Sequence, residues 1–279
     1  MFQKPKEICH YSSDLENIIT DVDIKNFAKN TQREIEQIIA GLGLKLRRAE
    51  LKDHFAINQL LFERFHPNTA SQISFYDSYR AIKHGYTVVL EDTQQKIVGY
   101  DYSLGYDDDD KTSFGLNIAI SPSWAGHKLQ TLVSTYTSLI GMERGSRIRR
   151  GILHPSNYIS LHNLLNNTGF LCEQFFPHLP GFESSRFILS FGLTPAEMMN
   201  NRVNLDKVKH FINEKKVGED FYLVECDNEE EIDYIYKNSS FRVVAFLQQG
   251  KISDKNQLFA IPYEQMNFPD SSLEFLQIG

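Results

Sequence analysis

The chain has 279 residues, 41% hydrophobic and 12% aromatic, with a net charge of −7. This fits one main folded domain with an accessory piece, and the acidic balance excludes a non-specific nucleic-acid binder, which needs a basic face. No apolar run approaches the ~18 residues of a membrane span. The N-terminal stretch MFQKPKEICHYSSDLE lacks the apolar core of a secretory signal, so no membrane association and a cytoplasmic address are expected.

Residues 21–43 read as a helix in which Ile24, Phe27, Ala28, Ile35, Ile38 and Ile39 share a face and Gly41 is the stop. It forms an N-terminal extension (1–43) packed on the domain, with homodimer contact as the alternative. Leu44 to Ala49 is a short strand. Asp53 then caps a helix with the core stripe Ile57, Leu60, Leu61 and Phe65, closed by Pro67. A second helix fits Ser71 to Lys83 and stops before Gly85. Strands Tyr86 to Glu91 and Ile97 to Leu104 are joined by the hairpin turn Asp92 to Gln95. The run Asp107 to Asp110 reads as a solvated turn, since adjacent carboxylates repel. An acidic lip attracting a cationic amine is the alternative; a calcium loop would need a different spacing.

From Thr112 to Gly141 the hydrophobic period switches. Phe114, Leu116, Ile118 and Ile120 alternate with Gly115, Asn117 and Ala119, giving a strand with one bulky and one bare face against which a ligand could lie. After Pro122, the residues Leu129, Leu132, Val133, Tyr136 and Ile140 form the stripe of an amphipathic helix. Between them, Ser123 to Lys128 places backbone N–H groups and the positive end of the helix dipole at the strand's end, a favourable place for phosphate.

Arg147 to Leu153 is a strand, followed by His154-Pro155-Ser156-Asn157-Tyr158-Ile159-Ser160 and a helix to Gly169-Phe170. Leu171 to Phe175 and Ser185 to Ser190 are strands joined by Phe176 to Phe182, a rigid loop that could border a pocket. From Thr194 there are 9 Lys/Arg against 15 Asp/Glu, so all but −1 of the net charge belongs to residues 194–279. There the helices Leu205 to Lys216 and Glu229 to Tyr236 and the strands Phe221 to Glu225, Phe241 to Leu247 and Leu258 to Ile261 suggest a small α+β piece leaning on the first domain, with a truncated second copy of the first fold as the alternative. Cys9, Cys172 and Cys226 are odd in number, far apart and without a C-x-x-C, which speaks against disulfides and zinc; no metal is expected.

Two stretches carry a resemblance. Ile120-Ser121-Pro122 followed by Ala125-Gly126-His127-Lys128-Leu129-Gln130 is similar to the acyl-CoA-binding segment of the GCN5-related N-acetyltransferases, where a strand and Pro lead to Arg/Gln-x-x-Gly-x-Gly/Ala. Here Ala125 replaces the Arg, and Lys128 and Gln130 stand where the glycines let backbone approach pyrophosphate; Lys128 offers a direct phosphate partner in exchange. Asn157, Ser160, Gly169 and Phe170 match the family's second pattern, strand, Asn-x-x-Ala/Ser, helix, Gly-Phe, with one extra residue before the Gly. The same residues are also ordinary punctuation for a strand-helix-strand unit.

The resemblance covers Leu44 to Phe191. It implies an α/β (α+β) fold with a mixed, mostly antiparallel sheet and a splayed central strand pair, in a domain spanning 44–193, with 194–279 as an acidic accessory domain. It further implies acetyl transfer from acetyl-CoA to a primary amine by direct attack, the acceptor being a small molecule, a lysine or an N-terminal amine. Implied cofactor contacts are Ile118, Ile120, Ala125, Gly126, His127 and Lys128, then Leu129, Gln130, Thr131, Asn157 and Ser160. Phe75, Tyr76 and Tyr79 would wall the acceptor site, or else fill the core; Asp101 would serve as an acceptor contact, and the base would come from Asp101 or from the Asp107 to Asp110 turn. The family's usual Tyr acid and Glu base are missing; Tyr158 and His162 are the nearest titratable substitutes for the acid. A catalytically degenerate acyl-CoA sensor or interaction protein on the same fold is the alternative.

Overall fold

The computed structural model of the chain describes residues 21–64, 73–105, 111–179, 182, 184–195, 198, 203–250 and 253–262. Phe65, Pro67, Asp107 to Asp110 and Cys9 lie outside the described residues, as does part of the loop after Phe176.

The elements run α1 (Asp21–Gly41), β1 (Lys45–Arg48), α2 (His54–Arg64), α3 (Phe75–Lys83), β2 (Val88–Glu91), β3 (Ile97–Gly105), β4 (Thr112–Ile120), α4 (Leu129–Glu143) and β5 (Ile148–Leu153). They continue with α5 (Tyr158–Leu161), which passes directly into a π-helix over His162–Thr168, then β6 (Leu171–Phe176), β7 (Arg186–Gly192), α6 (Leu205–Glu214), β8 (Tyr222–Glu225), α7 (Glu229–Asn238), β9 (Phe241–Leu247) and β10 (Gln257–Pro262). All strands join one ten-stranded sheet in the order β1-β2-β3-β4-β5-β7-β6-β9-β10-β8. Every neighbouring pair is antiparallel except β4 and β5.

The two faces of the sheet carry separate cores. On one, Ala28, Ile35 and Ile39 of α1 and Leu129, Val133 and Leu139 of α4 pack with Val88, Leu90 and Val98, and the same cluster continues through Leu165, Phe187 and Leu189 to Ile232, Ile235 and Phe246. On the other, α2 and α3 press Ile57, Leu61 and Ala81 onto Val89, Tyr100, Tyr102 and Ala119. Each such side chain contributes about 1.5–3 kcal/mol on leaving water. Tyr136 on α4 donates to Glu36 Oε1 at 2.6 Å, fastening α1 across α4. Ile38, expected on the buried stripe of α1, is exposed instead, because the packed stripe ends on Ile35 and Ile39.

Local expectations shift in two other places. Asp53 does not cap α2 with its side chain; it belongs to a 3-10 turn, Leu51–Asp53, reaches back to the Glu50 N–H at 2.7 Å and pairs with Arg47. Ser74 is the cap of α3, its Oγ accepting from the Asp77 N–H at 3.0 Å.

The larger change is in β4. Its pairing with β3 runs from Ile120↔Gly99 to Asn117↔Tyr102, then slips to Gly115↔Ser103, leaving Leu116 as a bulge. A bulge reverses the alternation of everything beyond it. Ile118 and Ile120 therefore share the α4 face with Gly115, whereas Phe114 falls on the same face as Asn117 and Ala119, and Leu116 is exposed. The single bulky face read from the sequence does not exist.

Candidate functional site

The parallel pairing of β4 with β5 extends only from Thr112↔Ile148 to Gly115↔Gly151. Beyond that, β4 runs on to Ile120 and β5 to Leu153 without pairing, so the strands part where the bulge bends β4. The backbone of residues 116–120 on that side is free for a ligand.

The strand leads to this opening's far wall through a single 3-10 turn, Pro122–Trp124. Gly126 then adopts φ +86 in open space, and Lys128, the N-cap of α4, is left-handed at φ 55, ψ 18. A non-Gly residue there costs about 1–2 kcal/mol. No side chain caps α4, and none of the N–H groups from Gly126 to Thr131 has a hydrogen-bond partner among the described residues. Ala125, Gly126, His127 and Lys128 are exposed. Leu129 and Thr131 are buried, while Gln130 is held by Asn163 Nδ2, which donates to Gln130 Oε1 at 2.7 Å. The loop thus combines bare amides, a helix dipole and one ammonium group, an arrangement suited to phosphate.

Asn157 caps α5: its Oδ1 accepts from the Ser160 N–H at 3.2 Å, so the cap belongs to Asn157 and Ser160 sits within the helix. The extra residue before Gly169 is taken up by the π-helix, which widens the turn by one residue and still lets Gly169 close it at φ 84. Tyr158 stacks on Phe246 at 5.7 Å, and burial raises its pKa above the ordinary value, so it keeps its proton at neutral pH. His162 is hydrogen-bonded to Asn166 at 3.1 Å.

Asp101 is not at the surface of the opening. It is 1% exposed, and both of its carboxylate oxygens accept from Arg149 Nη2, at 2.9 and 2.7 Å, while Ser103 Oγ donates at 2.6 Å. Arg149 Nη1 also donates to the Ser134 carbonyl and Ser138 Oγ of α4. The pair lies under Gly115, where a Cβ would meet the guanidinium at 3.1 Å. The expected acceptor contact is thus a buried tie between β3, β5 and α4. Phe75, Tyr76 and Tyr79 are all exposed, so they do not fill the core. They lie on the helix pair that covers the face opposite α4.

Three further residues shape the region, and of these the sequence reading already places Asn117 on the bare face of β4. Tyr100 donates to Asn117 Oδ1 at 3.0 Å on the α2–α3 face. His154, just past the end of β5, has a pKa lowered by burial and by Arg186, and its Nδ1 accepts from the Ser156 N–H at 3.0 Å. Its remaining proton therefore sits on Nε2. Strand-end position was the one available signal for His154, and the alternation along β4 was the signal for Asn117. Among the described residues no cluster of His, Cys, Asp and Glu could hold a metal, and no helix is long and apolar enough to cross a membrane.

A mixed, mostly antiparallel sheet with a splayed parallel pair, followed by an uncapped helix at the open end, is the α/β architecture expected from the sequence. No protein-family model matches the chain, and a search of curated proteins finds no similar one. Similar solved structures include the ribosomal-protein-S18-alanine N-acetyltransferase of Escherichia coli, 13% identical over 54% of this chain and 94% of that one with a TM-score of 0.45. They also include a GNAT-superfamily phosphinothricin acetyltransferase of Sinorhizobium meliloti in complex with AcCoA, 16% identical over 54% and 88% with a TM-score of 0.45. A third is the diaminobutyrate acetyltransferase of Paenibacillus lautus with L-2,4-diaminobutyric acid and coenzyme A, 17% identical over 54% and 96% with a TM-score of 0.43.

Proposed function

We propose that the protein is an N-acyltransferase that moves an acetyl group from acetyl-CoA to a primary amine by direct attack. The observation that carries this reading is the parting of β4 from β5 after Gly115↔Gly151, beside the bare amides of Gly126 to Thr131. The loop fits a pyrophosphate: Gly126 has open space around it, and Lys128 adds a mobile cation. Ile118, Ile120 and Asn157 flank the course of the pantetheine arm, with Ser160, inside α5, beside it.

In the reaction the amine nitrogen forms a bond to the thioester carbon, the C–S bond breaks, the ammonium loses a proton and the thiolate gains one. A thioester is already activated, so positioning supplies much of the rate. Tyr158, in the first turn after the end of β5, is assigned as the donor to the thiolate, with His162 as the alternative. Phe75, Tyr76 and Tyr79 offer exposed rings to the acceptor, which arrives from the face opposite α4. Acetyl-CoA titrated into the protein in a calorimeter should show saturable heat; silence at millimolar acetyl-CoA would remove the proposal.

The second reading, a binding protein on the same fold, is favoured by one feature: Asp101, the carboxylate expected to act as base, is committed to Arg149. Free-thiol release with an amine panel separates the two, since a sensor binds acetyl-CoA and releases none.

A further inference from the structure

The half of β4 that has left β5 carries one side chain already prepared to recognise a second molecule. Asn117 is half-buried, lies immediately after the Leu116 bulge and faces the α2–α3 side, as do Tyr100 and Ala119. Tyr100 is completely buried, and desolvation together with the neighbouring Asp101 carboxylate holds its pKa far above the ordinary tyrosine value, so the phenol remains a donor at any working pH. That proton goes to Asn117 Oδ1 at 3.0 Å. Turned over, the amide would donate to the phenol oxygen and leave the buried phenol proton without this acceptor, so the orientation with Oδ1 toward Tyr100 is the favoured one. Its Nδ2 group, a pure donor, is directed away from Tyr100 and has no partner among the described residues.

We propose that Asn117 is a specificity-determining residue whose fixed amide N–H groups bind a carbonyl or carboxylate oxygen of the acceptor, so that the acceptor is an amino acid or peptide amine and not a bare polyamine. The proposal rests on the acyltransferase reading and deepens it. The geometry separates the two substrates by face. The phosphate-binding loop leads into α4 on one side of the sheet, Asn117 and the exposed rings of α3 lie on the other, and the parting of β4 from β5 is a break in the sheet between them. A donor-only group at the acceptor's side welcomes an oxygen lone pair and disfavours a second ammonium. Buried polar groups of this kind discriminate strongly, because a ligand lacking the complementary atom leaves them unpaired.

The test compares L-lysine with cadaverine, which differ by the carboxylate, following free-thiol release from acetyl-CoA by the wild type, Asn117→Leu and Tyr100→Phe, with acetyl-CoA calorimetry on each protein as the check on folding. The wild type should prefer lysine by about tenfold or more in kcat/KM, the worth of one charge-assisted hydrogen bond. Asn117→Leu should lose that preference through the KM for lysine while keeping its heat with acetyl-CoA. Tyr100→Phe, which removes the atom that orients the amide and touches no substrate, should lose part of it. Equal use of both amines by the wild type, or a preference unchanged in Asn117→Leu, overturns the inference and leaves the acyltransferase standing. Heat without thiol release from either amine also overturns it, while absence of heat removes the acyltransferase reading as well.

Discussion

Arg149 shows how one residue changes the meaning of another. In the sequence, Asp101 is a carboxylate on a strand next to a suspected cleft; in the fold it is 1% exposed and the guanidinium above it is 5% exposed. The Coulombic gain of such a pair is largely cancelled by desolvation, but removal of one partner leaves the other charged and alone. Arg149→Ala is therefore expected to lower stability by about 3–5 kcal/mol, read as a fall in the urea midpoint. Asp101→Asn together with Arg149→Met should recover much of it, since no charge is then stranded. A neutral effect of Arg149→Ala alone would mean that water reaches Asp101. Arg149 was visible in RIRRGIL only as one of three arginines, and nothing local distinguishes the buried one from Arg150, which pairs with Glu173 nearer the surface.

At the scale of elements, most of the order was legible because turns and caps are local chemistry. Pro122 opens a 3-10 turn, Asn157 caps α5 and Gly169 ends the helix in the left-handed conformation, all near the positions the sequence marks. The spare residue between Asn157 and Gly169 was countable, but its form was not. The π-helix that absorbs it turns Asn166 toward β9, where Asn166 Nδ2 donates to the Phe246 carbonyl at 2.7 Å and its Oδ1 accepts from the Phe246 N–H at 2.9 Å. Asn166→Ala would leave two buried backbone groups unpaired, at about 1–3 kcal/mol each. Chemical denaturation should register that loss, and Asn166→Asp should restore only the half in which the oxygen accepts. The bulge at Leu116 was hidden for the same reason as the π-helix: a one-residue slip is a matter of which partner strand lies opposite.

Across the whole molecule, the segment after residue 203 does not stand apart. β9 pairs with β6 at Cys172↔Val243, Tyr236 of α7 donates to the Cys172 carbonyl at 2.7 Å, and Ile232, Ile235 and Phe246 share a core with Phe187 and Leu189. One sheet and one continuous apolar layer should unfold as one unit. Far-UV circular dichroism and the fluorescence of Trp124, which sits in the first half, should therefore give coincident denaturation curves; a separate transition for the C-terminal residues would disprove the coupling. The sequence reads the segment as a small α+β piece leaning on the first domain; that it joins the same sheet depends on the pairing of β9 with β6, which composition does not carry.

What the amino-acid order determined unaided is everything set by neighbours in the chain: the switch from a two-residue to a helical period across Pro122, the amide-rich loop at Gly126, the capping residues, and through them the class of fold. Tertiary structure alone decided which face Phe114 and Gly115 occupy, which arginine holds Asp101, and where β9 docks. Those outcomes depend on hydrogen-bond register and burial between residues far apart in sequence, and no local pattern carries that information.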